Sequence, residues 1–147
     1  MANGKIPDDS ITASSTHSNK YTPSYARLTR EGSSCSWTPT AAGRIGSWLQ
    51  VDLGQLATVT KIATQGTCYS PSEWTKSHSV SYSTESNSWT PYEESGNVKV
   101  FQANTDRGSI VTHSFTPRIR ARYLRVLPES WSNYPTMRLE FYGCRHR

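Results

Sequence analysis

Long apolar runs are missing from this 147-residue chain. Nothing approaches the roughly 18 consecutive apolar residues of a membrane-spanning helix. The opening Met1-Ala2-Asn3-Gly4-Lys5 has no apolar stretch of the kind that marks a secretory leader. The chain therefore reads as soluble and as a piece cut from a larger protein. Sustained helical periodicity, internal repeats, low-complexity tracts and linkers are also missing, so one domain is expected over residues 1–147. Catalytic signatures are absent: there is no G-x-S-x-G, no H-E-x-x-H and no glycine-rich phosphate loop. His17, His78, His113 and His146 have no mutual metal-ligand spacing, and no cofactor is indicated. A binding module rather than an enzyme is expected. Cysteine is scarce, and the count of three is odd, so a secreted chain of this kind has a free thiol or a missing partner.

Aliphatic residues are also modest, with 34% hydrophobic content overall, but five Trp, eight Tyr and three Phe bring large buried areas per residue. The core is expected to be rich in aromatics, with Trp37, Trp48 and Trp89 packed inside it. Sixteen basic against eleven acidic residues give a net charge of +5, which favours acidic lipid headgroups, sulfated glycans or nucleic acid. Dispersal of the basic residues along the chain disfavours nucleic acid.

What the chain does have is short alternating segments set between Gly, Pro, Ser and Asn clusters, the pattern of an antiparallel β-sandwich. Leu49, Val51 and Leu53 alternate with Trp48, Gln50 and Asp52. Met137, Leu139 and Phe141 alternate with Arg138, Glu140 and Tyr142. Further strands are predicted over residues 59–64, 79–83, 98–102, 110–115 and 122–127. The expected fold is all-β, a jelly-roll-like sandwich. On its strand Asp52 reads as the partner of an arginine on a neighbour, Arg122 or Arg125, rather than as a base or metal ligand. Arg118, Arg120 and Arg122 alternate, so an extended segment points them the same way. Phosphate or sulfate fits such a stripe, and a solvated charged face is the plainer reading.

The segments Ile6-Pro7-Asp8-Asp9-Ser10-Ile11-Thr12-Ala13-Ser14-Ser15, Trp48-Leu49-Gln50-Val51-Asp52-Leu53-Gly54, Ile62-Ala63-Thr64-Gln65-Gly66, Arg122-Tyr123-Leu124-Arg125-Val126 and Met137-Arg138-Leu139-Glu140-Phe141-Tyr142-Gly143-Cys144 resemble a discoidin domain, also called a coagulation factor V/VIII type C domain. The resemblance runs over nearly the whole chain. It implies a galactose-binding-domain-like jelly roll, an extracellular or secreted setting and a role in attachment to cell surfaces or matrix. Its cysteine pattern resembles the retinoschisin branch and implies that Cys35 pairs with Cys68. Closing a loop of about 34 residues would remove unfolded-state entropy worth about 3 to 4 kcal/mol. Two buried free thiols are the alternative. Cys144 stands where the family joins its last strand to a cysteine ahead of Ile6, and no cysteine precedes Ile6 in this sequence. Some related folds take calcium, but Asp8 and Asp9 are the only adjacent acidic pair outside Glu93-Glu94, and they read as a solvated turn.

In members of the family that bind membranes, three loops at one end carry apolar tips ringed by basic residues. The matching stretches here are residues 16–21, 69–76 and 130–135, which make His17, Asn19, Lys20, Tyr21, Tyr69, Trp74, Lys76, Trp131 and Tyr134 the candidate ligand-binding residues. The first of these loops is short and polar at its tip, which weakens the membrane reading. The same aromatic and polar side chains suit a sugar site. An anionic lipid and a cell-surface glycan are therefore both expected partners. A structural assembly or matrix-protein-binding module similar to retinoschisin, oligomeric in its full-length protein, is the alternative. Peptide capture of the neuropilin kind is excluded, because Thr40, Ala41 and Ala42 follow Trp37-Thr38-Pro39 where an acidic residue is required.

Overall fold

The computed structural model describes residues 6–18, 21–30, 35–68 and 73–146. After a 3-10 turn at Asp8–Ser10 come the strands β1 (Ile11–Ala13), β2 (Leu49–Gln65), β3 (Trp74–Ser83), β4 (Thr90–Pro91), β5 (Glu93–Glu94), β6 (Asn97–Val98), β7 (Phe101–Gln102), β8 (Val111–Ser132) and β9 (Arg138–Arg145). The expected all-β architecture is found. β2 and β8 pair antiparallel along most of their length. β1 and β9 line the other edge of β2, while β3 pairs with β8 and carries β4 and β7 on its far side.

Two pairs of predicted strands are fused. The segments expected at 48–53 and 59–64 are one strand, β2, and those at 110–115 and 122–127 are one strand, β8. Alternation broke in the sequence because the ladder slips there, between Asp52 and Ala57 and again between Val59 and Lys61. At the first slip Gly54 takes a positive φ of 83° and its N–H donates to Asp52 Oδ1 at 2.8 Å. Such bulges bend a strand, which lets one sheet curl around a single core. The segment expected at 98–102 is interrupted, with β6 closing a small hairpin on β5 and β7 joining β3.

Leu49, Val51, Ile62, Val80, Leu124, Val126, Met137 and Leu139 fill that core and are fully buried. Trp37 lies among them as expected, its Nε1 donating to the Ser15 carbonyl at 2.9 Å and its backbone paired with Met137. Phe101, Tyr92, Phe115 and His78 add a second, aromatic cluster.

Trp48 and Trp89 are a correction. Both are half-buried on the outer surface, where their rings sandwich the Arg125 guanidinium at 4.0 and 4.1 Å. For Trp48 the reason is the strand period: Leu49 faces inward, so Trp48 shares the outward row with Gln50 and Asp52. Trp89 lies just ahead of β4, its Nε1 donating to the Ser86 carbonyl. Arg125 also donates through Nε to Gln50 Oε1 at 2.9 Å. Cation–aromatic stacking of this kind is worth about 0.5 to 2 kcal/mol.

Candidate functional site

Loops gather at the end of the barrel where β2 ends, β3 and β9 begin, and β8 finishes. The loop between Trp37 and β2 carries an aliphatic side chain into solvent. Gly43 packs so tightly that a Cβ there would lie 2.6 Å from Ser15 Oγ and 2.8 Å from Thr40 Oγ1. Its N–H donates to the Thr40 carbonyl and to Thr40 Oγ1, and the Thr40 N–H donates to Ser15 Oγ at 3.1 Å. Arg44 is held by Nε to the Ala41 carbonyl and by Nη1 to the Asn133 carbonyl, with its guanidinium 4.9 Å from the Tyr134 ring. Gly46 then turns the chain back at φ 76°. Between these anchors Ile45 is left 89% exposed, a branched aliphatic side chain in water on a braced loop.

His17, Tyr21 and Tyr134, from the expected site, stand beside this loop. The imidazole of His17 is edge-on to both tyrosine rings, with centroids 5.5 Å away in each case. The His17 N–H donates to the Thr38 carbonyl at 2.8 Å, and the Thr38 N–H to the Tyr21 carbonyl at 3.3 Å. These bonds tie the first loop to the segment that leads to Ile45. Thr38 and Thr136 join through their hydroxyls at 2.8 Å, and Thr136 donates to Glu73 Oε1 at 2.9 Å. Because Thr136 donates to the carboxylate, Thr38 is the donor to Thr136.

Trp74, Lys76 and Trp131 fall on the ends of β3 and β8 rather than in loops. Lys76 is exposed, and the two tryptophans are half-buried, with Trp74 Nε1 buried and without a hydrogen-bond partner among the described residues. Trp74 packs close to Gly66, where a Cβ would meet Trp74 Cβ at 2.7 Å and Arg107 Cα at 2.8 Å. Asn19, Lys20 and Tyr69 lie outside the described residues.

Cys35 and Cys68 form the expected disulfide, and Cys144 is free and exposed. The bridge borders an open cleft of about 600 Å³ lined by Thr29, Gln65, Thr67, Cys68, Arg107, Gly108 and Arg138. Arg138, only 4% exposed, organises this side of the end. It donates from Nε to the Gly66 carbonyl at 2.8 Å, from Nη1 to the Arg30 carbonyl at 2.7 Å and from Nη2 to the Arg107 carbonyl at 3.2 Å. Gln65 works beside it, accepting the Thr29 N–H at Oε1 and donating to the Gly108 carbonyl. The loop before β8 is closed on itself, since Asp106 accepts from the Gly108 and Ser109 N–H groups and from the Ser109 hydroxyl. Hydrogen bonds from the Ser109 backbone and side chain hold that carboxyl below its ordinary value.

Asp52 is tied on the outer sheet face, as one of its two expected arrangements required. Arg122 reaches it with Nε at 2.9 Å and Nη2 at 3.1 Å. Partial burial works to raise the Asp52 pKa, but Arg122 and the Gly54 N–H prevail and hold it below the usual carboxylate value. Among the described residues no group of three or more His, Cys, Asp or Glu side chains is placed to hold a metal ion.

Sequence reasoning passed over Ile45 and Arg44. The signal was Gly43-Arg44-Ile45-Gly46: an aliphatic residue between glycines, outside any alternating run, has no strand to bury it.

Known proteins share this fold. The F5/8 type C domain family matches residues 10–141. Lactadherin from Rattus norvegicus is 40% identical over 151 residues, covering 98% of this chain and 35% of lactadherin. Coagulation factor VIII from Sus scrofa is 40% identical over 148 residues, covering 98% of this chain and 7% of that protein. The chain thus spans about a third or less of the length of these relatives. Among solved structures, discoidin II from Dictyostelium discoideum superposes with a TM-score of 0.82 at 23% identity, over 93% of this chain and 55% of that one. From the five sequence segments, the curled all-β fold and this match over most of its length, the chain belongs to the F5/8 type C, or discoidin, domain family.

Proposed function

We propose that the domain attaches to membranes that expose anionic phospholipid, by setting the loop end against the bilayer with Ile45 as the inserting tip. The observation that carries this reading is the 89% exposure of Ile45 on a loop braced by Gly43, Arg44 and Gly46. A rigid loop loses little entropy on binding, so most of the transfer energy of the side chain is kept. Burying an isoleucine contributes about 1.5 to 3 kcal/mol. Each cation near the headgroups, Arg44 and Lys76 first, adds about 1 kcal/mol. Attachment by a single domain is then weak, and lasting adhesion needs several modules acting together. The domain is proposed to serve as a non-catalytic module of a longer extracellular protein, as its relatives' greater lengths allow.

A glycan is the second reading, and the His17, Tyr21 and Tyr134 cluster favours it. The His17 ring, 5.5 Å from both the Tyr21 and the Tyr134 rings, offers with them a face for a pyranose beside polar groups.

The test is binding of the domain to phosphatidylcholine vesicles with and without phosphatidylserine. Binding that requires phosphatidylserine, weakens with salt and falls roughly ten- to a hundredfold in Ile45→Ser is expected. Equal binding to both vesicles, or no effect of Ile45→Ser, would overturn the membrane reading. Release by a simple sugar would transfer the site to glycans.

A further inference from the structure

The side wall of the barrel carries a second charged surface. Among the described residues most cations are committed: Arg27 to Asp8, Arg122 to Asp52, Lys99 to Glu94, Arg125 to Gln50 and its two tryptophans, and Arg138, Arg44 and Arg107 to backbone carbonyls. Arg30 and Arg145 also have partners. Lys61, Lys76, Arg118 and Arg120 remain without a hydrogen bond or ion pair among the described residues, and all four are exposed.

Three of these four share one face. Arg120 stands opposite Thr58 on β2, and Thr58 stands opposite Cys144 on β9. Lys61 lies across from Ser114 on β8 and Tyr142 on β9, the latter 43% exposed. Val59, Ile119 and Ala121, the inward neighbours, are buried, so Arg118 and Arg120 both point outward. Residues two apart on a strand are about 6.7 Å apart, and adjacent strands about 4.8 Å. A basic strip results, crossing the register break between Val59 and Lys61 and running from the middle of the barrel toward the end opposite Ile45. The described carboxylates of these strands do not offset it: Asp52 is held by Arg122, Glu129 accepts from Ser79, and Glu140 is only 9% exposed.

We propose that this wall, formed by the outer faces of β2, β8 and β9, binds a linear sulfated polysaccharide through Arg118, Arg120 and Lys61. Guanidinium groups repeated along a strand match sulfates repeated along a chain, each fork taking two oxygens. Tyr142 supplies a ring and a hydroxyl for the sugar between them. No aliphatic tip projects from this wall to enter a bilayer, which separates it from the loop end. It also lacks a projecting helix or ribbon to enter a nucleic-acid groove. The domain therefore engages two anionic partners on two different surfaces.

The experiment is salt elution of the domain from an immobilised sulfated polysaccharide, an unsulfated polysaccharide and double-stranded DNA. The wild type is expected to be held by the sulfated chain, to pass through the unsulfated one and to leave DNA at clearly lower salt. The triple variant Arg118→Gln, Arg120→Gln, Lys61→Gln should bind the sulfated chain roughly tenfold more weakly with an unchanged melting temperature, whereas Ile45→Ser should elute like the wild type. Elution of the triple variant at the wild-type salt concentration would overturn the proposal. So would equal retention on DNA, which would mark a general polyanion surface, or wild-type flow-through on the sulfated chain.

Discussion

Replacing Arg138 with methionine is expected to lower the unfolding free energy by about 3 to 5 kcal/mol and to abolish vesicle binding at the loop end. The side chain is buried and divides its donors among three carbonyls, those of Gly66, Arg30 and Arg107, which belong to three different loops. Methionine fills a similar volume but cannot donate. The Gly66 bond is buried and the Arg30 and Arg107 bonds are part-buried. Hydrogen bonds to a charged group are worth about 1.5 to 3 kcal/mol each, the part-buried pair at the lower end, which gives about 3 to 5 kcal/mol in total. For a domain of this size the melting temperature should fall by about 6 to 20 °C. Arg138→Lys should lie between the two, because a lysine keeps the charge but not the planar fork that reaches several acceptors at once. Urea unfolding of the three proteins measures this. A loss below about 1 kcal/mol for Arg138→Met would show that water takes over the three carbonyls and that the loops hold themselves.

Acid should destabilise the domain well above the range in which carboxylates titrate. His78 is fully buried against Phe101, and neither ring nitrogen meets a hydrogen-bond partner among the described residues. Burial drives its pKa from 6.5 down to about 4, the His113 charge pushing the same way and the Ser79 backbone opposing. The folded protein keeps His78 neutral where the unfolded chain binds a proton. Stability is therefore full above the unfolded value and drains away as pH falls through 6.5 toward 4. The loss reaches about 2 kcal/mol near pH 5 and about 3 kcal/mol below pH 4. Asp52, held low by Arg122, adds its own loss only at lower pH, below the ordinary carboxylate value of 3.8. Thermal melts across this range, compared with His78→Phe, separate the two. The variant should flatten the upper part of the acid limb, and an identical limb in both proteins would remove His78 as its cause.

The framework was legible in the sequence because it rests on local alternation. The inward rows Leu49, Val51, Leu53 and Met137, Leu139 are spelled out in the period of two, and an arginine partner for Asp52 on a neighbouring strand was legible as Arg122 or Arg125, of which the structure has Arg122. The Cys35–Cys68 bridge came instead from family resemblance. What local pattern cannot convey is where a strand slips. The bulges after Asp52 and Val59 hid the length of β2, and the same loss of register split β8 in two. Trp48 and Trp89 were misplaced for a different reason: aromatic size argues for burial, but the strand period at Trp48 and a guanidinium between the two rings decided otherwise.

The site was only half legible. His17, Tyr21 and Tyr134 do converge. Trp74 and Trp131, read as ligand-binding residues of loops, lie at strand ends and are half-buried. Ile45 was passed over because its exposure arises from contacts distant in sequence, Gly43 against Ser15 and Arg44 against Asn133, which no local pattern reports.

Depth of Ile45 in the bilayer is the measurement that decides whether the loop end inserts. Ile45→Trp fluorescence, read as the difference from the wild type, should be quenched on vesicles containing phosphatidylserine when the lipid chains are brominated near the carbonyl region. Quenching there and not on neutral vesicles is the predicted result. Binding to the same vesicles with no quenching of the position-45 signal would contradict it and place the membrane contact elsewhere on the domain.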